Sequence, residues 1–394
     1  MQYILAVAMI IILIEGISFL LVKTLRKKFQ WLITPEDEEP VLDKDGLKKF
    51  LAHGYDPELG WIRKPSTWHP EKGRFGDTAY HIDSFGSRCN PGHENLPLRI
   101  VCYGDSFSFC RQVNDNETWP WYLSGLSNTG VLNFAVGNYG LDQALLRMGR
   151  EIKKYPSAIT IMGVVPSTIV RILCVWKHYN EFGNVFGFKP RFDIINGKLT
   201  LIQNIIDSKD KFYDYNRYLD KIREHDYFYR TKFRKEMIRF PYFLSILKQP
   251  GRNIPIIASL LLNSKDYPMA KIMEINKTLR YNLFKNEYAL ELFYGLIDEY
   301  VKLADRNNTT PVFLFMPQKD DVTMVRGGRR YYSGLISRLK SRLLTIDMTD
   351  HLVKADDLDQ LYSDDSIYGG HFSRDGNKFV AERIYAELKK AGLL

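Results

Sequence analysis

Two parts of the chain carry residue types that perform acyl-transfer chemistry in enzymes. Ser106 stands in the sequence Gly104-Asp105-Ser106, which continues the apolar run RIVCYG at 99–104. His371 follows two glycines and precedes the last helical segment. A serine hydroxyl acts as a nucleophile when a base takes its proton, an acid orients that base and hydrogen-bond donors stabilise the oxyanion. Because Gly, Asp and Ser are also ordinary turn residues, this chemistry requires a fold that brings Ser106 and His371 together.

Five short apolar runs have the composition of buried parallel strands. They are RIVCYG (99–104), VLNFAVG (131–137), AITIMGV (158–164), PVFLFMP (311–317) and LLTIDMT (343–349). Helix-compatible segments at 119–126, 142–154, 287–305 and 375–390 alternate with them. This alternation predicts an α/β fold with a doubly wound parallel sheet. Ligands of such sheets bind at the carboxyl ends of the strands, where we expect Ser106.

A long insertion separates the third and fourth apolar runs, at about 166–310, which exceeds the usual connection length of this fold. Asn196-Gly197, flanked by alternating apolar residues, predicts a hairpin. The tyrosine- and lysine-rich region that follows is helix-compatible. We interpret it as an amphipathic cap over the core, with contact to a membrane or an acidic ligand as the alternative.

Residues 3–22 are apolar except for Glu15, which predicts a single transmembrane helix. No basic segment precedes this run and no small-residue cleavage site follows it, which favours an anchor over a removable signal peptide. A basic cluster, Lys23 and 26–28, follows the span and predicts a cytoplasmic location for the rest. We divide the chain into an anchor (1–22), a basic then acidic linker (23–49) and a folded domain (50–394).

The composition excludes several other functions. The net charge of +9 suits an anionic membrane surface, and no motif of nucleic-acid binding accompanies it. The four cysteines have neither metal-ligand spacing nor the density of a disulfide scaffold. We therefore expect no metal, no cofactor and no nucleic-acid partner.

The order of these motifs resembles the SGNH/GDSL hydrolases over about residues 50–394. The resemblance implies a three-layer sheet in flavodoxin-like strand order, with Ser106 as nucleophile, His371 as base and the backbone amides of Ser106 and Gly137 as oxyanion hole. The segments GYDPELGW, YHIDSFGSR and VGNYGLDQALLRM are similar to the membrane-anchored branch of that family. The resemblance thus implies a serine mechanism without a cofactor.

Two positions depart from the family pattern. The third block should contain Asn-Asp, but this chain has Ser167-Thr168, so Ser167 or Asn138 is expected to supply the third oxyanion donor. The acid of the triad usually stands three residues before the histidine, where this chain has Tyr368. We expect Asp365 to take that role, with neighbouring Asp364 as the alternative.

The sequence therefore predicts a membrane-anchored serine esterase that hydrolyses O-acyl esters, with a glycan or a lipid-linked saccharide as substrate. An O-acyltransferase using the same acyl-enzyme is the first alternative, and it would require a membrane protein partner. A catalytically inactive binding or scaffold protein of the same fold is the second alternative.

The choice between the two carboxylates is testable by substitution. We expect Asp365→Asn to lower turnover by orders of magnitude, because the acid holds the histidine tautomer and stabilises the imidazolium. Asp364→Asn should change turnover little. Steady-state hydrolysis of an activated ester by both variants measures this, and the reverse pattern would assign the role to Asp364.

Overall fold

The computed structural model describes residues 1–73, 75–264, 266–363 and 370–394. The chain forms two compact units, each built from three chain segments. The N-terminal unit comprises Met1–Lys48, Cys174–Phe188 and Ser208–Leu279. The sheet unit comprises Lys49–Leu173, Lys189–Asp207 and Arg280–Leu394. The predicted domain boundaries stay a prediction.

Short and long strands occur in the described residues. The strands are β1 (Tyr55–Asp56), β2 (Gly60–Trp61), β3 (Thr67–Gly73), β4 (Gly76–Ile82), β5 (Leu98–Gly104), β6 (Gly130–Asn133), β7 (Ile159–Val164), β8 (Arg191–Ile195), β9 (Lys198–Ile202), β10 (Thr310–Phe315) and β11 (Leu344–Asp347).

The α-helices alternate with these strands or form the N-terminal unit. They are α1 (Gln2–Lys28), α2 (Lys44–His53), α3 (Ser106–Phe109), α4 (Trp119–Ser127), α5 (Leu141–Glu151), α6 (Thr168–Arg171), α7 (Lys209–Tyr213), α8 (Leu219–His225), α9 (Arg234–Glu236), α10 (Tyr242–Lys248), α11 (Pro250–Leu261), α12 (Tyr267–Leu283), α13 (Glu287–Arg306), α14 (Lys319–Arg326), α15 (Ser333–Lys340), α16 (Thr349–Leu352) and α17 (Arg374–Lys390).

The main sheet carries the candidate site. Within the described residues it contains five parallel strands in the order β11-β10-β7-β5-β6. Numbered along the chain within this sheet, the order is 2-1-3-4-5, which is the flavodoxin-like order. The expected parallel sheet is thus confirmed. The second strand ends earlier than its apolar run, at Asn133, and Phe134 N still donates to Cys102 O.

Helices cover both faces of the sheet. Helices α4 and α17 pack together on one face, where Ile161 and Leu314 of the sheet join Trp119 and Val380 in one buried cluster. Helices α5 and α13 pack together on the other face, where Tyr300 Oη of α13 donates to Thr160 O. Apolar burial on both faces explains why the strands read as continuous apolar runs. The three-layer fold is confirmed.

Antiparallel hairpins complete the sheet unit. Strand β3 pairs with β4 in the region before the main sheet. Strand β8 pairs with β9, and the turn residues Asn196 and Gly197 both have positive φ, 52° and 71°. Two successive positive φ values define the turn that asparagine-glycine favours, so the predicted hairpin is confirmed.

The N-terminal unit is organised around α1. This helix is long and apolar enough to cross a membrane, and a signal sequence at an N-terminus has the same length and apolar character. It runs to Lys28, past the predicted end of the anchor at 22, and its Val22 and Leu25 pack with Ile246 and Ile256 of α10 and α11. The Glu15 carboxylate accepts from Tyr242 N and Phe243 N, the first backbone amides of α10. The acidic residue of the apolar run therefore caps a helix of the same chain.

Candidate active site

Ser106 lies where the inner strand β5 ends and α3 begins. Gly104 closes the strand with a φ of 147°, and a Cβ at this position would stand 1.9 Å from Gly163 O of the neighbouring strand β7. Only glycine tolerates that approach and that backbone conformation. The short helix α3 then places Ser106 at the carboxyl edge of the sheet, where the sequence predicted it.

Asp105 fixes this turn in place. Its carboxylate is fully buried, and Oδ1 accepts from Phe107 N at 2.9 Å, which caps α3. Oδ2 accepts from Val165 N at 2.9 Å and from Arg171 Nη1 at 3.1 Å. One carboxylate therefore joins the nucleophile turn to the chain that leaves β7. Asp105 therefore has a structural role: its hydrogen bonds fix the backbone around Ser106.

His371 lies directly beside Ser106. Its Nε2 is 2.9 Å from Ser106 Oγ, although 265 residues separate the two in sequence. Pairing with the preceding loop positions the histidine, since Ser363 N donates to His371 O at 2.7 Å. Ser373 Oγ then caps α17 by accepting from Gly376 N at 3.0 Å. The structure therefore brings together the two residues that the sequence predicted as nucleophile and base.

Gln112 is a site residue that the sequence analysis missed. Its Oε1 is 3.0 Å from His371 Nδ1 and accepts from Ser363 Oγ at 3.1 Å. The backbone holds it there, since its φ is 66° and its N–H donates to Glu71 Oε2 at 2.8 Å. An amide oxygen at Nδ1 favours the tautomer that leaves Nε2 free to accept the Ser106 proton. No local pattern marks this glutamine.

The expected acid of the triad lies outside the described residues. Asp365, the alternative Asp364 and Tyr368 all belong to the segment 364–369. The assignment of Asp365 therefore stays a prediction.

Two backbone amides are available for an oxyanion. Neither Ser106 N nor Gly137 N donates a hydrogen bond to any residue that the structure describes. A Cβ on Gly137 would stand 4.0 Å from Ser106 Cβ, so the two residues are neighbours. Trp61 Nε1 donates to Gly137 O at 3.0 Å and fixes that peptide. The role of these two amides as oxyanion donors stays a prediction.

The two candidates for a third donor differ in their surroundings. Asn138 is exposed and follows Gly137 with a φ of 67°. Ser167 Oγ lies 2.9 Å from Gln318 Oε1, to which it donates, and it accepts from Arg280 Nη1 at 3.0 Å. The hydroxyl proton of Ser167 is therefore used within the protein. The role of either residue as oxyanion donor stays a prediction.

Arg280 supports this third block through a buried ion pair. Its Nη2 donates to Asp321 Oδ1 at 2.6 Å. Burial raises the pKa of the Asp321 carboxyl to about 6, against the opposing effect of the Arg280 charge. Arg280 therefore contacts Ser167, the residue at the position where the family pattern has an asparagine.

Gln112 gives a testable prediction about His371. We expect Gln112→Leu to lower kcat by about tenfold, because the imidazole loses an orienting acceptor. In Gln112→Glu the new carboxylate would stabilise the imidazolium, so the acidic limb of the pH profile of kcat/KM should move to higher pH. The exposed Gln203→Leu is the matched control. An unchanged pH profile in Gln112→Glu would show that residue 112 does not act on the base.

Comparison with known proteins identifies solved structures with similar architecture. No protein-family model and no curated protein matches the sequence. A lipolytic protein of the G-D-S-L family from Desulfitobacterium hafniense DCB-2 is 15% identical with a TM-score of 0.35, covering 74% of this chain and 99% of its own. A member of the lipolytic G-D-S-L family from Veillonella parvula DSM 2008 is 10% identical with a TM-score of 0.33, covering 73% and 97%. The chain is thus similar to, and distant in sequence from, solved structures of that family.

Proposed function

We propose that the chain is a serine esterase of SGNH type that works through an acyl-enzyme on Ser106. The contact between Ser106 Oγ and His371 Nε2, at 2.9 Å, is the observation that carries this proposal. A hydroxyl within hydrogen-bond reach of an imidazole, at the carboxyl edge of a parallel sheet, has the geometry of nucleophile and base.

The reaction follows from the atoms in place. Ser106 Oγ attacks the ester carbonyl while His371 Nε2 takes its proton, and the amides of Ser106 and Gly137 donate to the oxyanion that forms. The tetrahedral intermediate collapses, His371 returns the proton to the leaving alcohol, and the acyl group stays on Ser106. Water, deprotonated by His371, then attacks the acyl-enzyme and releases the acid.

The substrate is an O-acyl ester on a glycan or on a lipid-linked saccharide, and residues 3–22 anchor the enzyme in a membrane. The apolar helix α1 supports the anchor. The basic residues after residue 22 support a cytoplasmic sheet unit by the positive-inside rule. Transfer of the acyl group to a sugar hydroxyl, with a membrane protein partner as acyl donor, is the second candidate, because an acyl-enzyme accepts either nucleophile.

Covalent labelling tests the nucleophile. We expect a fluorophosphonate probe to label the full chain in detergent and to leave Ser106→Ala unlabelled, because phosphonylation requires an activated hydroxyl. The exposed Ser341→Ala is the matched control and should label like the wild type. If the wild type stays unlabelled while it is folded, the scaffold alternative replaces the esterase.

A further inference from the structure

Arg63 lies beside the candidate nucleophile Ser106. Among the residues that the structure describes, it forms no hydrogen bond and no ion pair, and its Nε is buried without an acceptor. Its guanidinium lies over the rings of Tyr80 and Phe109, with 5.1 Å and 5.5 Å from Cζ to the ring centroids. The aromatic rings hold the side chain in place and leave its N–H groups unused.

The position of Arg63 relates directly to the reaction. The point where a Cβ on Gly137 would stand is 3.9 Å from Arg63 Nη2 and 4.0 Å from Ser106 Cβ. Gly137 has no side chain to fill this space. The cation therefore faces the region in which the ester carbonyl must lie for attack by Ser106.

Three other arginines of this region that the structure describes have acidic partners. Arg88 Nε donates to Asp115 Oδ1 at 3.0 Å, Arg111 Nε to Glu71 Oε1 at 3.0 Å and Arg171 Nη1 to Asp105 Oδ2 at 3.1 Å. Burial, and after it the charge of Arg63, lower the pKa of His69. A part-buried guanidinium that forms no ion pair with any described residue is unfavourable, so a ligand that supplies the charge binds there with a gain in free energy.

We propose that Arg63 binds an anionic group, a carboxylate or a phosphate, that the ester substrate carries next to its scissile carbonyl. This proposal rests on the proposed esterase function, and it specifies in addition that the substrate carries a negative charge. A guanidinium donates two parallel hydrogen bonds to either group, which fixes the substrate's orientation as well as its affinity.

Paired esters test this proposal on the full chain in detergent. Phenyl acetate is compared with 4-carboxyphenyl acetate, and 4-nitrophenyl acetate with 4-nitrophenyl succinate, which places the charge on the alcohol or on the acyl side. We expect Arg63→Gln to lower kcat/KM by about tenfold or more for at least one anionic ester, mainly through KM. Its neutral counterpart should change by less than about twofold. Arg63→Lys should recover part of the loss, and the exposed Lys302→Gln is the control.

The outcomes separate this proposal from the esterase proposal. Equal losses for neutral and anionic esters would overturn the anion site and make Arg63 a donor to the transition-state oxyanion. The anion site would also be overturned if Arg63→Gln left the ratio of kcat/KM for the anionic ester to kcat/KM for the neutral ester unchanged in both pairs. If the folded wild type does not react with the fluorophosphonate probe, the esterase proposal itself would be overturned.

A second, independent observation concerns an exposed apolar surface of the N-terminal unit. Seven large apolar side chains of α10, α11 and the adjoining residues are exposed, and we call them the lipid-facing set: Phe240, Phe243, Leu244, Leu247, Ile254, Leu261 and Leu262. On the opposite side, Ile246, Ile256 and Leu260 pack in the cluster that contains Val22 and Leu25 of α1. The exposed set therefore continues the exposed apolar surface of α1.

Contacts with α1 give the depth of each helix. The N-terminus of α10 binds Glu15, seven residues before Val22, which is about 10 Å along the helix axis. Arg252 at the start of α11 donates to Trp31 O at 2.6 Å, and Asn263 after its end accepts from Lys28 Nζ at 3.2 Å. Both ends of α11 therefore lie level with the basic end of α1, while α10 begins deeper.

We infer that α10 dips into the bilayer that α1 spans and that α11 lies in its interface, with hydrocarbon covering the lipid-facing set. The Glu15 carboxylate satisfies the first amides of α10, which a backbone at that depth requires. The side chain of Lys248 is exposed at the end of α10, where the chain returns to the level of the headgroups.

Cysteine accessibility in membrane fragments, open on both sides, tests this inference. We expect Phe243→Cys and Leu262→Cys to resist a sulfonated maleimide until the fragments are dissolved in SDS. Tyr213→Cys, which replaces a residue of the same unit that is 66% exposed, should react throughout. Ile12→Cys lies in the apolar part of α1, and its protection from the maleimide would show that α1 is in the membrane. Reaction at 243 and 262 with protection at 12 would overturn the inference and keep the anchor, whereas reaction at 12 would overturn both.

Discussion

The site depends on one buried carboxylate. Asp105 accepts hydrogen bonds from the start of α3, from the chain after β7 and from Arg171. A buried charge of this kind is tolerated only where its oxygens find donors, so its three donors must keep their places. Because the donors come from separate segments, the carboxylate makes the nucleophile turn and the third block of the site a single rigid structure. Ser106 is thereby aimed by a neighbour that takes no part in the chemistry.

Close backbone packing gives the same region its shape. Ser108 Oγ donates to Gly163 O at 2.9 Å, and Gly104 lies against that carbonyl group. Side chains at either glycine would separate β5 from β7 or displace α3. The edge of the sheet that carries Ser106 therefore depends on close packing of β5 against β7, which a side chain at Gly104 or Gly163 would prevent.

The sequence predicted the sheet and the proximity of Ser106 and His371 because each has a local signal: apolar runs, a glycine turn at a strand end and a histidine before a helix. It could not predict Gln112, whose position comes from a positive φ and a bond to Glu71 in a distant hairpin. It missed the structural role of Asp105 for the same reason. It also gave no sign that Ser167 would be engaged by Arg280, since that contact spans 113 residues.

Glu15 and the amides that it caps lie 227 residues apart in the chain. During synthesis the first helix is complete long before α10 exists, so the Glu15 carboxylate lacks these two amide donors while more than half of the sheet unit is made. Contacts of such long range form slowly, since the closure of the intervening loop costs entropy first. Folding of the N-terminal unit is therefore a late event, and a shortened chain that lacks α1 would emerge from the ribosome with the apolar inner face of α10 and α11 uncovered.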